Sequence, residues 1–179
     1  MVHWSHLPVA LWNDQPFDSV AVYTGSATVV NGSVAIIYPG VCDGARAGTN
    51  PGPVVWPTCS PDGARHYNLV LARPADPDDP LLTNWSKRLI FNNTQRDPSG
   101  AWLTPDGEWR FLTWDQELFA SKDFVAWQRL GQPAGLPIGD CPSLFPLPAA
   151  VDGAGPQPAA APTHVHKISY DSRDFYTIG

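Results

Sequence analysis

The sequence predicts an all-β chain assembled from propeller blades, and three observations predict it. The first is composition: 20 prolines and 15 glycines among 179 residues burden any helix interior but suit short strands joined by many turns. The second is a pair of hairpin turns, Asn31-Gly32 and Pro105-Asp106-Gly107, each flanked by β-branched and aromatic residues. The third is a repeat. His3-Trp4-Ser5-His6-Leu7, Asn84-Trp85-Ser86-Lys87-Arg88-Leu89 and Ala126-Trp127-Gln128-Arg129-Leu130 each set a Trp before basic and aliphatic residues. Trp85 and Trp127 are 42 residues apart, the length of a four-stranded blade of about 40–50 residues.

In chain order, the first blade is expected to hold strands at 22–30, 33–38 and 66–72, with a last one near Trp85. The interval from Trp4 to Trp85 is about twice the blade length because residues 40–65, with four prolines and five glycines, read as a loop insertion. The second blade is expected to run from about Asp97 to Leu130, its start lying in the stretch Phe91 to Trp114, where Arg96-Asp97-Pro98 precedes the hairpin arms AWLT and EWRFLTW. Its third strand is expected at 117–121 and its fourth around Trp127. The third blade begins at Asp140-Cys141-Pro142 before SLFPL. It is interrupted by a second insertion, the Ala/Pro/Gly tract 148–162, and resumes at 164–170 and 175–178 around a turn at 171–174. Two whole blades and parts of others are too few to close a propeller, so the sequence reads as a single partial domain, a piece of something larger.

Charge and apolar content exclude several functions. A formal net charge of −6 with dispersed acidic residues offers no basic stripe to a phosphate backbone, so no nucleic-acid partner is expected. No apolar run approaches a membrane span of about 20 residues, so no membrane partner is expected either. Met1-Val2-His3-Trp4 lacks the basic head and apolar middle of a signal peptide. Cys42, Cys59 and Cys141 show no metal-type spacing, so no metal and no cofactor is expected. Cys42 and Cys59 flank a Gly/Pro-rich loop within the first insertion and would pair only in an oxidising compartment, free thiols being the favoured reading.

The repeat also locates a site. The first strand of every blade lines the propeller axis, so Tyr23-Thr24, Arg96-Asp97 and Asp140, each opening such a strand, are expected to converge. Two carboxylates, an arginine, a hydroxyl and an aromatic ring suit a sugar, with charged groups for bond cleavage and a flat apolar face for the ring. The guanidinium fork matches an array of hydroxyl oxygens.

At these residues the chain resembles glycoside hydrolase family 32, the β-fructofuranosidases (invertases) and related fructosyltransferases of plant type. His3-Trp4-Ser5-His6-Leu7-Pro8 resembles the family's HWxHLP, and residues 23–28, YTGSAT, its W-[ST]-G-S-A-T strand. Residues 74–82 followed by Trp85 resemble a further family segment. Arg96-Asp97-Pro98 resembles the RDP motif, Asp140-Cys141-Pro142 the ECP motif, and residues 164–179 the HVLKxS...DYYTIG stretch. The resemblance implies part of a five-bladed propeller, without the family's first-blade start, last blade and C-terminal β-sandwich. It also implies a small-molecule carbohydrate substrate, sucrose or another β-fructoside, cleaved with retention through a covalent intermediate. Asp97 matches the transition-state stabiliser, Asp140 the acid/base, and Arg96, Tyr23 and Thr24 sugar-binding positions. By the same analogy the location would be extracellular or vacuolar.

Two departures bear on activity. The family's nucleophile lies in an NDPNG motif that these 179 residues do not contain, and Asn13-Asp14-Gln15, which follows HWxHLP, matches an ordinary PDQ segment instead. A retaining mechanism cannot run without its nucleophile, so the piece alone is expected to be inactive. The acid/base position holds Asp140 in place of Glu, which withdraws the carboxyl by one C–C bond, roughly 1.5 Å. The alternatives are a fructosyltransferase using the same residues, a non-catalytic sugar-binding propeller, and a purely structural one.

Overall fold

The computed structural model describes residues 3–43, 64–147 and 163–179. Most of the first expected insertion, 44–63, and the second, 148–162, lie outside the described residues. The described chain is all-β, twelve strands and one three-residue 3-10 turn at Pro16–Asp18, in antiparallel sheets of the propeller-blade kind. None of its helices is long and apolar enough to cross a membrane. It divides into two compact units, one ending at Arg96 and the other beginning at Asp97.

The first unit holds β1 (Ala21–Val22), β2 (Ser26–Val30), β3 (Ser33–Asp43), β4 (Arg65–Pro74) and β5 (Trp85–Thr94). They form one sheet in the order β1-β3-β4-β5, with β2 also paired to β3. Asn31 and Gly32 both have positive φ, 51° and 79°, the signature of the type I′ turn that matches strand twist. Central strand β4 is buried without a break from Asn68 to Ala72, as the unalternating run LVLA requires of a strand covered on both faces. Tyr38, Val70 and Ala72 make the core, with Leu11, Phe17, Val22, Ile36 and Trp85 packed around them. Two expectations change here. β3 continues through Gly40 to Asp43, where a loop was expected to begin, because Gly40–Asp43 pair in register with Asn68–Arg65. Cys42 is disulfide-bonded instead of a free thiol, whereas Cys141 is in no disulfide.

The expected single strand 22–30 is interrupted between β1 and β2. Val22 pairs with Gly40 and Ser26 with Ile37, so three residues, 23–25, stand opposite two, 38–39. That is a β-bulge, which re-aims side chains and locally ends the ladder. Pro39, with no N–H to give, sits opposite it and accepts from Tyr23 N at 3.0 Å. Gly25 has no alternative here: a Cβ would lie 2.3 Å from the Ile37 carbonyl oxygen and 2.6 Å from Tyr38 Cβ.

Under this bulge lies a buried polar cluster. The Tyr38 hydroxyl donates to Asp18 Oδ2 at 2.7 Å, and Lys87 Nζ donates to the same oxygen at 2.9 Å and to Asp14 Oδ1 at 2.6 Å. Lys87 also donates to the Trp12 carbonyl. Burial, then the Asp18 charge, pushes the Tyr38 hydroxyl far above its ordinary range, so it stays a donor.

The second unit holds two sheets. One is β6 (Trp102–Leu103), β7 (Trp109–Leu112), β8 (Leu118–Ser121) and β9 (Gln128–Gly131) in chain order, a four-stranded blade. The other is β10 (Asp140–Pro146), β11 (His164–Tyr170) and β12 (Arg173–Ile178). In the first, Phe111 stacks on Phe119 at 4.8 Å, and Trp127 meets Phe111 and Phe124 edge-on at 4.8 and 5.1 Å. The repeat tryptophan therefore caps a core just before β9 and is not within the strand. The expected AWLT strand shortens to Trp102–Leu103. Upstream of it, Ser99 N still donates to Leu112 O at 2.8 Å, while Leu112 N is taken by the Ser99 hydroxyl at 3.0 Å in place of a main-chain acceptor.

Candidate active site

The candidate residues sit where strands begin, end or are interrupted. Tyr23 and Thr24 occupy the bulge between β1 and β2 and are exposed, the Tyr23 ring tilted against Tyr67 with centroids 5.8 Å apart. Arg96, half-buried, ends the first unit. In the second unit Asp97 is half-buried and has φ of +57°, a left-handed conformation uncommon outside glycine and tolerated best by Asp and Asn. Pro98 and Ser99 follow it into the interior, so the strained residue is fixed from its C-terminal side.

Asp140 opens β10 and is exposed. Cys141 after it has φ of +48°, and the pairing with β11 shifts between Asp140–Ser169 and Ser143–Lys167, two residues opposing one. This second bulge leaves Cys141 out of the regular ladder. Asp97 Oδ2 accepts from Cys141 N at 3.2 Å. The structure thus brings together the two acidic strand openings of this unit, 43 positions apart in sequence, through one bond from a main-chain N–H to a side-chain carboxylate. Left-handed backbone thus stands at both carboxylate-bearing openings, at Asp97 and at the residue after Asp140, as it does at several turns elsewhere in the chain.

Sequence reasoning missed the residues that hold these openings. Gly139 packs so tightly that a Cβ would lie 2.8 Å from Ile168 Cδ1 and 3.0 Å from the Ser169 carbonyl oxygen, which seats the start of β10 on β11. His166 on β11 is 3% exposed, and its Nε2 lies 2.8 Å from Gln116 Oε1. As donor to that carboxamide oxygen, it pins the three-stranded sheet to the β7–β8 turn. The only hint in the sequence is the alternation of residues 164–168, which places His166 and Ile168 on one face. A recess of about 630 Å³ in this unit is lined by Trp102, Arg110, Leu144, His164 and His166 among others, but by neither Asp97 nor Asp140. It is separate from the carboxylates.

Burial pushes the His166 pKa below 6.5, so the ring stays neutral in the fold. Unfolding releases it to bind a proton. The unfolded chain therefore binds more protons than the folded one between the folded pKa and about 6.5, and stability rises with pH across that window. The melting temperature is expected to fall on acidification below about pH 6.5, and His166→Gln to flatten that part of the profile. An unchanged slope in the variant would show that His166 does not set it.

Among the described residues no group of three or more His, Cys, Asp and Glu is arranged to hold a metal ion. The site's chemistry is that of carboxylates. An anchored carboxylate beside a solvent-facing one can stabilise positive charge on one side of a sugar ring while a proton is exchanged on the other.

Comparison with known proteins points the same way. The family profile described as Glycosyl hydrolases family 32 N-terminal domain matches residues 1–179. An acid beta-fructofuranosidase of Vigna radiata var. radiata is 32% identical over all of this chain and 28% of its own length. A beta-fructofuranosidase, insoluble isoenzyme 5, of Oryza sativa subsp. japonica is 30% identical over all of this chain and 34% of its own. Among solved structures, a variant of fructan 1-exohydrolase IIa from Cichorium intybus in complex with 1-kestose superposes with a TM-score of 0.64 at 28% identity, over 98% of this chain and 34% of that one. The chain therefore spans about a third of the length of the relatives it matches.

Proposed function

This chain belongs to glycosyl hydrolase family 32, and on that premise we propose that the complete protein hydrolyses β-fructofuranosides such as sucrose with retention of configuration. Asp97 stabilises the oxocarbenium-like transition state through the fructosyl hydroxyls, Asp140 is the acid/base, and Arg96, Tyr23 and Thr24 bind the sugar. The observation that supports this best is the 3.2 Å bond from Cys141 N to Asp97 Oδ2, which couples the two carboxylate positions. Retention needs a third carboxylate to form the glycosyl-enzyme intermediate, and the NDPNG string that carries it in the family is absent from this sequence. The 179 residues alone are therefore inactive in this proposal.

The cycle starts with Asp140 protonated. It gives its proton to the leaving oxygen as the nucleophile attacks, then takes one from the water that releases fructose. Because Asp140 is one methylene shorter than Glu, it meets the leaving oxygen poorly. In the complete protein Asp140→Glu is expected to raise kcat by up to about 100-fold, the scale on which a misplacement of about 1 Å acts. The assay is fructose release from sucrose, with NMR to read the anomer first formed. No release by the complete protein, with or without the change, would overturn the hydrolase.

A sugar-binding propeller is the second reading, favoured by the exposed, shortened Asp140. In that case sucrose binds without turnover.

A further inference from the structure

Three Asn-x-Ser/Thr triplets occur in the first unit: Asn31-Gly32-Ser33, Asn84-Trp85-Ser86 and Asn92-Asn93-Thr94. Such triplets are N-glycosylation acceptors in chains that enter a secretory compartment, and they recur by chance, so the fold must choose among them. All three asparagines are exposed. Their surroundings differ.

Thr94 is 7% exposed, and its hydroxyl is spent on the Tyr67 carbonyl at 3.2 Å. Asn92 itself rims a recess with Phe17, His66, Asn68 and Asn93. At the second triplet Asn84 Nδ2 donates to the Thr83 hydroxyl at 3.4 Å, and the middle residue, Trp85, is packed against the core with its Nε1 donating to Leu82 O at 2.7 Å. A bulky indole held this way crowds the acceptor on its C-terminal side.

Asn31 has neither impediment. It forms the tip of the β2–β3 hairpin, and its carboxamide makes no hydrogen bond among the described residues. The neighbouring Gly32 faces open space, with nothing within 4 Å of where a Cβ would stand. The backbone already reverses there, so a large substituent leaves the sheet without displacing a strand. A second, independent feature points to the required compartment: Cys42 is disulfide-bonded, which persists where the surroundings are oxidising.

We infer that Asn31 carries an N-linked glycan. In the transfer, Asn31 Nδ2 forms a bond to C1 of an oligosaccharide delivered on a lipid diphosphate, while the C1–O bond to the diphosphate breaks. The lipid diphosphate leaves, and the carboxamide proton passes to a base of the transferase; nothing is oxidised or reduced. The glycan stands at the end of β2, an edge strand whose Val29 is 68% exposed. A hydrated chain at that point obstructs pairing with a second edge.

The test translates all 179 residues behind a cleavable secretion signal into microsomal membranes, where transfer can be read without purifying the product. Peptides are then treated with amidase in heavy-oxygen water, which converts each occupied asparagine to labelled aspartate for mass spectrometry. The expected result is label at Asn31, lost in Asn31→Gln and in Ser33→Ala but kept in Asn84→Gln and Asn92→Gln. Asn31 unlabelled, whether the other two are occupied or not, overturns the inference.

Discussion

Lys87→Met is expected to cost about 3–5 kcal/mol of folding stability, the penalty for removing one member of a buried ion pair. The Lys87 side chain is 6% exposed and Asp18 is 0% exposed, so water cannot replace the ammonium. Methionine fills nearly the same volume, which separates the charge effect from a cavity. Asp18 would keep the Tyr38 hydroxyl and the Gln15 N–H, at 2.7 and 2.9 Å, but no positive charge. Urea denaturation read by tryptophan fluorescence checks it, the midpoint falling at constant slope. The double variant Asp18→Asn/Lys87→Met should recover part of the loss, because the uncompensated anion is gone. A single-variant loss under about 1 kcal/mol would mean that the pair is solvated, contrary to its burial.

The cluster also bears on the site. Asp18 is gripped by Tyr38, and Tyr38 is the residue against which Gly25 lies flush. Loosening Asp18 therefore loosens the backing of the bulge that presents Tyr23 and Thr24. The ion pair is poor value as stabilisation alone, since a well-packed apolar pair would do as well. Its position under the bulge gives it a second use, in fixing where the chain leaves β1.

Patterns that repeat within a few residues were legible in the sequence. Asn31-Gly32 announced its hairpin, the alternation of residues 164–168 announced β11, and Trp85 and Trp127 announced the blade spacing. What eluded the reading is what a two-residue period cannot encode. A bulge adds one residue to one strand and reverses every face beyond it, yet the residues at 23–25 look like strand throughout. Positive φ at Asp97 and Cys141 is equally silent, for neither is glycine and only the neighbouring strand demands the conformation. Partnerships between distant positions were also hidden. Lys87 and Asp18 are 69 residues apart, and His166 and Gln116 are 50. Each of these is a lone polar residue in an otherwise ordinary strand or turn until the sheets are assembled. The candidate aspartates were found through motif order, but the bond from Cys141 N to the Asp97 carboxylate that couples their openings was not.

For the complete protein, Asp97→Asn is expected to lower kcat about 10²–10³-fold, the usual consequence of removing one group aimed at developing charge. Asparagine keeps an oxygen that can accept from Cys141 N, so the tie between the two strand openings survives while the negative charge does not. Asn also tolerates left-handed φ as well as Asp does, which leaves the strained backbone undisturbed. The loss should therefore fall on kcat and kcat/KM together, with KM and melting temperature little changed, because the interaction matures only in the transition state. Asp97→Ala makes the contrast. It removes charge and tie together, frees the Cys141 N–H and favours a different backbone conformation, so a stability loss of about 1–3 kcal/mol should accompany the catalytic one. If Asn proves as active as Asp, then Asp97 serves only to brace β10, and the charge that steadies the sugar must come from another side chain. If Asn lowers kcat while the fold holds, the carboxylate is both the brace of the second opening and the partner of the transition state. One short strand start then does both, which explains why the chain bears the strain there.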